Sequence, residues 1–238
     1  MSDPDGDTRP RVNRAELRRL REALSREDFP LTIPAAPPVP TSPRGTILTV
    51  CTGNICRSPM AEVLLHAALR DLRVHVRSAG THALVEHEMT AQAQQLAVAN
   101  GADAADAAAH RARRLDESML QHADLVLTMA REHRSFAVQQ APAVLHRAFT
   151  VREFARLAET LTDAQVHTAA VAAGAEAGDR LRALARLVAA QRGVVPPAPE
   201  HDDVVDPYRR SMTTYELSAS QLVPAVAEAG RVIRAALG

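Results

Sequence analysis

Apolar positions change period several times along this chain. Thr46-Ile-Leu-Thr-Val50 is short, β-branched and apolar, which predicts a strand. Ser58–Leu72 switches to a helical period with Pro59 in its first turn, where proline is tolerated. Val74–Arg77 alternates and predicts a second strand, and Thr90–Asn100 a helix stopped by Gly101. A short helix over Asp116–His122 precedes a third strand, Asp124–Thr128; a helix over Arg131–Val138 precedes a fourth, Val144–Phe149. Strands alternating with helices predict an α/β fold, a parallel sheet doubly wound with helices on both faces.

Both ends of the chain depart from this alternation. Asn13–Glu16 has the form of a capping box, and Leu17, Leu20 and Leu24 make one stripe of a short helix. Six prolines between Pro30 and Pro43 predict an extended linker. Residues 1–44 are therefore read as an N-terminal helix and linker, and 45–238 as the main domain. The Arg-rich helix of this arm is either a docking element for a protein partner or a helix packed on the domain. Residues 151–200 are Ala-rich and predict two helices, near 151–173 and 176–192, as an insertion. A last helix is predicted over Thr213–Ala236, kinked or divided by Pro224.

The densest chemistry lies between the first strand and its helix, in Val50-Cys-Thr-Gly-Asn-Ile-Cys-Arg-Ser-Pro-Met-Ala-Glu62. Strand, polar turn and helix N-terminus form an anion site from backbone N–H groups and a helix dipole. Thr52, Gly53, Asn54, Ile55, Cys56 and Ser58 would make up this loop. Gly53 allows close backbone approach, and Asn54 tolerates a left-handed conformation. Arg57 can clamp two phosphate oxygens, and the same positive field favours Cys51 as its thiolate, with Ser58 as a donor to the sulfur. Cysteine and arginine on one phosphate-sized loop point to covalent phosphoryl chemistry. Such chemistry needs an acid for the leaving oxygen. Asp206-Pro-Tyr208 supplies the best candidate, with Tyr208 as an aromatic wall; Asp202 and Asp203 read as a charged surface loop.

Composition narrows the alternatives. All 28 basic residues are arginine, which excludes a Walker-type lysine loop and Schiff-base chemistry. Formal net charge is 0, so no global field favours nucleic acid or an anionic membrane. No apolar run reaches membrane-spanning length, and the acidic N-terminus lacks a secretory signal pattern. Two cysteines five residues apart make neither a disulfide framework nor a zinc site, and a cytoplasmic location is expected. No metal or other cofactor is called for.

The segment C-T-G-N-I-C-R-S-P-M-A-E resembles the signature loop of the low-molecular-weight protein tyrosine phosphatases. Val76-Arg-Ser-Ala-Gly-Thr81, His110-Arg-Ala-Arg113, Ala123-Asp-Leu-Val126 with Met129 and His133, and Asp206-Pro-Tyr208 resemble further family segments and occur in the family's order. The resemblance covers roughly residues 45–150 and 200–238. It implies a four-stranded parallel sheet of flavodoxin-like order 2-1-3-4 and metal-free hydrolysis of a phosphorylated protein or small phosphoester. It implies Cys51 as nucleophile, Arg57 as phosphate binder, Asp206 as acid, and a brace of Asn54, Ser78 and His110 beneath the loop. Cys56 matches a cysteine that in family members can pair reversibly with the nucleophile; a packed thiol is the alternative.

The chain also departs from the family. Leu84-Val-Glu-His-Glu-Met89 stands where a Gly-x-Pro turn and an aromatic wall are usual, and Arg209-Arg210 follow Tyr208. Three other functions share the loop. An arsenate reductase would typically read H-N-x-x-R-S and recruit later cysteines, and none follows Cys56. A phosphoarginine phosphatase would tend to carry Thr where Ile55 stands. A recognition module without catalysis would need neither the thiol nor Asp206.

Overall fold

The structure is a computed structural model describing residues 44–238. The capping box, leucine stripe and Pro-rich linker expected before Arg44 lie outside the described residues. Four parallel strands form one sheet in the order β2-β1-β3-β4: β1 Gly45–Cys51, β2 Val74–Gly80, β3 Leu125–Thr128 and β4 Ala148–Thr150. Helices α1 Arg57–Leu69, α2 Ala91–Ala99, α3 Ala104–Ala109, α4 Glu117–His122 and α5 Arg131–Gln140 connect them; α6 Val151–Ala158, α7 Asp163–Ala172, α8 Ala177–Ala190 and α9 Met212–Leu237 follow. The fold is the doubly wound α/β sandwich that the alternation predicts.

Alternation along β1 divides the core between two layers. Ile47 and Cys51 join an apolar cluster with Leu65 of α1, Phe154 of α6, Leu184 of α8 and Val226 of α9. Leu48 and Val50 face the opposite cluster, with Leu120 of α4 and Ala137 of α5. Successive strand residues point to opposite faces, so one strand feeds both layers. β1 lies between β2 and β3, where the winding direction reverses, and its last residue is Cys51. Ligands in open α/β sheets sit beyond the strand ends at such a switch point.

Several elements differ from expectation for local reasons. β2 runs on to Gly80, which brings Ser78 into the sheet beside Thr49. The fourth strand is shorter and later than predicted: Pro142–Val144 is a 3-10 turn, and only Ala148–Thr150 pairs with β3. The single helix predicted over 151–173 is two, because Thr162 caps a fresh start and forms a reciprocal capping box with Gln165. The α3 helix, capped by Asp103, was hidden in an Ala-rich stretch without apolar period. Pro224 does not divide the last helix, which is continuous over 26 residues. The 151–200 segment is part of the core: Phe154, Leu157, Val166, Leu181 and Val188 are buried in the same cluster as Ile47.

Candidate active site

The loop Thr52–Cys56 joins the end of β1 to the first turn of α1, and it is fixed by its own polar side chains. Asn54 adopts φ 57°, the left-handed region that asparagine tolerates better than most residues. Its amide group donates to Ser58 Oγ at 3.0 Å and Ser78 Oγ at 2.7 Å, and its Oδ1 accepts the Arg113 N–H at 2.8 Å. His110 Nε2 lies 2.8 Å from the Asn54 carbonyl. Ser78 and His110 thus both contact Asn54 beneath the loop. Gly80 completes the fit from β2, where a Cβ would stand 2.5 Å from the Thr52 carbonyl oxygen. Gly53 has no such constraint; a Cβ there would meet only Ile55 at 3.5 Å.

Glu62 is a brace residue that the sequence motif contained without revealing. Its carboxylate accepts a hydrogen bond from Ser78 Oγ and lies 3.4 Å from His110 Nδ1. Burial pushes the Glu62 carboxyl up, but the bonds from His110 and Ser78, with the Arg113 charge, outweigh it and hold the group below its ordinary range. The available signal was the one acidic residue of α1, set between Ala61 and Val63 on a helix that buries most of its side chains, a position that requires partners for a charge.

Cys51 is 3% exposed, yet its Sγ reaches a pocket of about 140 Å³ lined by Gly53, Arg57, His82, Leu84, Asp206 and Tyr208, among others. The sulfur lies 3.0 Å from Ser58 Oγ and accepts the Asn54 N–H at 3.3 Å. Arg57 is buried at the first position of α1; Nη1 donates to the Val204 carbonyl at 3.0 Å, and Nη2 is 2.7 Å from Asp206 Oδ2. Arg57 Nε is buried with no hydrogen-bond partner among the described residues. Cys51, Arg57 and Asp206 thus converge on one pocket although 155 positions separate the first from the last.

Tyr208 lines the pocket, and Arg209 lies over its ring at 5.1 Å. The facing wall is His82 and Leu84, with His82 packed on Phe136 at 6.0 Å between ring centroids. His82 went unread in the sequence because its partner Phe136 is 54 positions away. Cys56 also lines the pocket, and its Sγ lies 3.5 Å from both the Thr90 and Tyr215 hydroxyls. Burial pushes the Cys56 thiol up, and Tyr215 is pushed up to about 12, again chiefly by burial. Both cysteines are free thiols.

His133 is 2% exposed with Nε2 2.9 Å from Thr52 Oγ1, so α5 also touches the loop. Burial, and then the Arg57 charge, lower its pKa to about 4. Asp202 corrects the surface-loop reading: it is buried and paired with Arg156 at 3.1 Å. Asp203 is partly exposed but held by Arg131, which donates from its backbone N–H and its guanidinium. Among the described residues no cluster of His, Cys, Asp and Glu has the arrangement to hold a metal ion.

Residues 46–167, just over half of the chain, match the family model for low molecular weight phosphotyrosine protein phosphatase, and the chain belongs to that family. It is 41% identical over 99 residues to the low molecular weight protein-tyrosine-phosphatase Etp of Escherichia coli K12, a match covering 42% of this chain and 64% of Etp. The match therefore spans somewhat less than two thirds of that relative. It is 36% identical over 110 residues to a protein-arginine-phosphatase of Bacillus subtilis, covering 45% of this chain and 71% of that protein. Among solved structures, the low molecular weight protein tyrosine phosphatase of T. tengcongensis aligns with a TM-score of 0.54 at 28% identity, over 78% of this chain and 97% of the other.

Proposed function

We propose that this chain is a metal-independent phosphomonoester hydrolase, most specifically a protein-tyrosine phosphatase working through a phosphocysteine on Cys51. One observation carries the reading: a thiol, a buried guanidinium and a half-exposed carboxylate line a single small pocket at the switch point of the sheet. Family membership supports the same chemistry. The phosphate would take the N–H groups of the loop and Arg57 Nε, which has no partner among the described residues.

In the first step the Cys51 thiolate attacks phosphorus and the ester P–O bond breaks. Asp206 gives its proton to the departing oxygen, and a phosphocysteine forms. In the second step water attacks phosphorus, Asp206 takes a proton from it, and the S–P bond breaks to release phosphate and the thiolate. Ser58 Oγ, at 3.0 Å, donates to the sulfur as it regains charge. Arg57 holds the phosphoryl oxygens throughout, which requires Asp206 to exchange its contact with Nη2 for one with the leaving group.

A phosphotyrosine side chain is favoured as substrate because Tyr208, His82 and Leu84 wall the pocket entrance and would flank an aromatic ring. The branched apolar Ile55 in the pocket lining favours an O-phosphate over phosphoarginine. Arg209 and Arg210 beside the rim favour acidic flanking sequence. Two free cysteines fit a reducing cytoplasm, where a thiolate nucleophile survives. The arm before Arg44 is the segment assigned to any protein partner.

The test is a substrate panel of phosphotyrosine, phosphoserine and phosphoarginine peptides, with arsenate reduction assayed beside it, on the full chain and on Cys51→Ser. Phosphotyrosine hydrolysis lost by at least about a thousandfold in the variant, with phosphate still bound, is the expected result. Turnover near wild type in Cys51→Ser would remove the thiol from the mechanism, and faster phosphoarginine cleavage would move the substrate class.

A further inference from the structure

The segment that carries Asp206 is held by side chains from outside the signature loop, and two of them come from the helical stretch after β4. Helix α6 starts directly from β4, capped by Thr150, and buries Val151, Phe154, Leu157 and Ala158 in the core. Its Arg152 and Arg156 are four positions apart and so share a face. That face meets the acid-bearing segment. Arg152 Nη1 donates to the Asp203 carbonyl at 3.0 Å. Arg156 donates from Nη1 to the Pro196 carbonyl at 3.0 Å and from Nη2 to Asp202 Oδ1 at 3.1 Å. One guanidinium thereby ties the start of the segment to a residue four before Asp206.

The remaining anchors converge on the same few residues. The Asp203 carboxylate accepts from Arg131, the Val204 N–H donates to the Met129 carbonyl at 2.8 Å, and the Val205 N–H donates to Gln221 Oε1 at 2.9 Å. Asp202 to Val205 are thus held one after another, and Asp206 is the first residue of the run whose side chain is half exposed and faces the pocket. A catalytic acid on a loop has to be held within a fraction of an ångström, and its backbone supports set that precision.

We propose that Arg152 and Arg156 are positioning residues for the general acid, and that a function of the 151–200 segment is to clamp the Asp206 loop over the phosphate pocket. The proposal rests on the reading of Asp206 as the acid given above. Neither arginine touches the pocket lining, so loss of either should leave phosphate binding intact while impairing protonation of the leaving oxygen. An activated phenolate needs little protonation and a basic one needs much, which makes the leaving group the discriminating variable.

The experiment compares kcat/KM for a dinitrophenyl phosphate and for phenyl phosphate, with the inhibition constant of inorganic phosphate, in Arg152→Met, Arg156→Met and the double variant. Asp206→Ala is measured in parallel. The expected result is a fall of about tenfold or more on phenyl phosphate and under about threefold on the activated ester, with phosphate inhibition unchanged. Arg152→Lys and Arg156→Lys should recover most of the loss. Activity on the activated ester reports folding within each variant, and Asp202→Asn, which removes the charge facing Arg156 while leaving α6 untouched, gives the same readout should the methionine variants not fold. Equal losses on both esters, no loss, or weakened phosphate inhibition would overturn the clamp. If Asp206→Ala is selective and the arginine variants are not, the clamp alone fails; if Asp206→Ala slows both esters alike, the acid assignment fails and takes the clamp with it.

Discussion

Arg57 and Asp206 are paired to each other: Nη2 of the arginine lies 2.7 Å from Oδ2 of the aspartate, the first side chain buried and the second half exposed. The carboxylate thus occupies a donor that a bound phosphate would use. On the mechanism proposed above, anion binding and release of the acid would be one exchange, in which phosphate displaces Asp206 from Arg57 and frees it to face the leaving group.

That exchange predicts opposite effects of one substitution. In Asp206→Asn the competing charge is gone, and an ion pair with one half-exposed partner is worth on the order of 1 kcal/mol after solvent screening. Inorganic phosphate should inhibit or bind up to about fivefold more tightly, while turnover of phenyl phosphate falls steeply. Titration calorimetry of phosphate into both proteins measures the first effect. Weaker binding in the variant would show that Asp206 helps hold the anion instead of competing with it.

Glu62 predicts that the loop depends on a carboxylate beneath it. It accepts from Ser78, lies beside His110, and through Ser78 supports the Asn54 amide that spans the loop. Glu62→Gln replaces a charged acceptor of a buried bond by a neutral one, which should cost about 1–1.5 kcal/mol of stability, the difference between a charge-assisted and a neutral bond. Urea denaturation of the two proteins tests the figure. A change under about 0.5 kcal/mol would mean that Asn54 and His110 hold the loop without it.

These two predictions also mark what was legible in the chain. The Cys51–Ser58 loop could be read because a strand, an anion-binding turn and a helix start are local events, encoded in consecutive residues. The β2-β1-β3-β4 order followed from alternation and family resemblance together, and Asp206 was singled out because proline and tyrosine follow it. Residues acting through distant partners escaped: Glu62 reads as a helix surface charge until His110 is folded over it, and Asp202 as a loop carboxylate until α6 supplies Arg156. Element ends failed where a side chain made the decision, as when Thr162 restarts a helix inside an even Ala-rich pattern. Pro224 failed differently, since a long helix buried along one side loses one backbone bond and continues.

Glu86 occupies a left-handed turn, φ 66°, a conformation that favours glycine. The turn is kept because the Glu86 N–H donates to the Ala112 carbonyl at 2.8 Å. A non-glycine residue there costs about 1–2 kcal/mol, part of which glycine gives back through the greater freedom of its unfolded chain. Glu86→Gly should therefore stabilise the protein by about 0.5–1 kcal/mol, read as a higher urea midpoint with an unchanged slope. A lower midpoint would mean that the carboxylate contributes more than the backbone strain removes.

His133 predicts an acid-side loss of stability. Burial, and next the Arg57 charge, take its pKa from 6.5 to about 4 in the folded protein, so the native ring stays neutral where the unfolded one already binds a proton. Between pH 6.5 and about 4 the unfolded state holds more protons. Stability contributed by the neutral ring is accordingly present above pH 6.5 and is lost as pH falls through that window. A shift of this size corresponds to about 3 kcal/mol across the full window. His133→Gln can still bond to Thr52 Oγ1 but cannot titrate, so its stability should fall less steeply from pH 7 to pH 4.5 than that of the unaltered protein. Urea midpoints at half-unit pH intervals provide the comparison. Parallel curves for the two proteins would show that His133 takes up its proton in the folded state as readily as in the unfolded one, and would remove the buried neutral imidazole from the account of the loop.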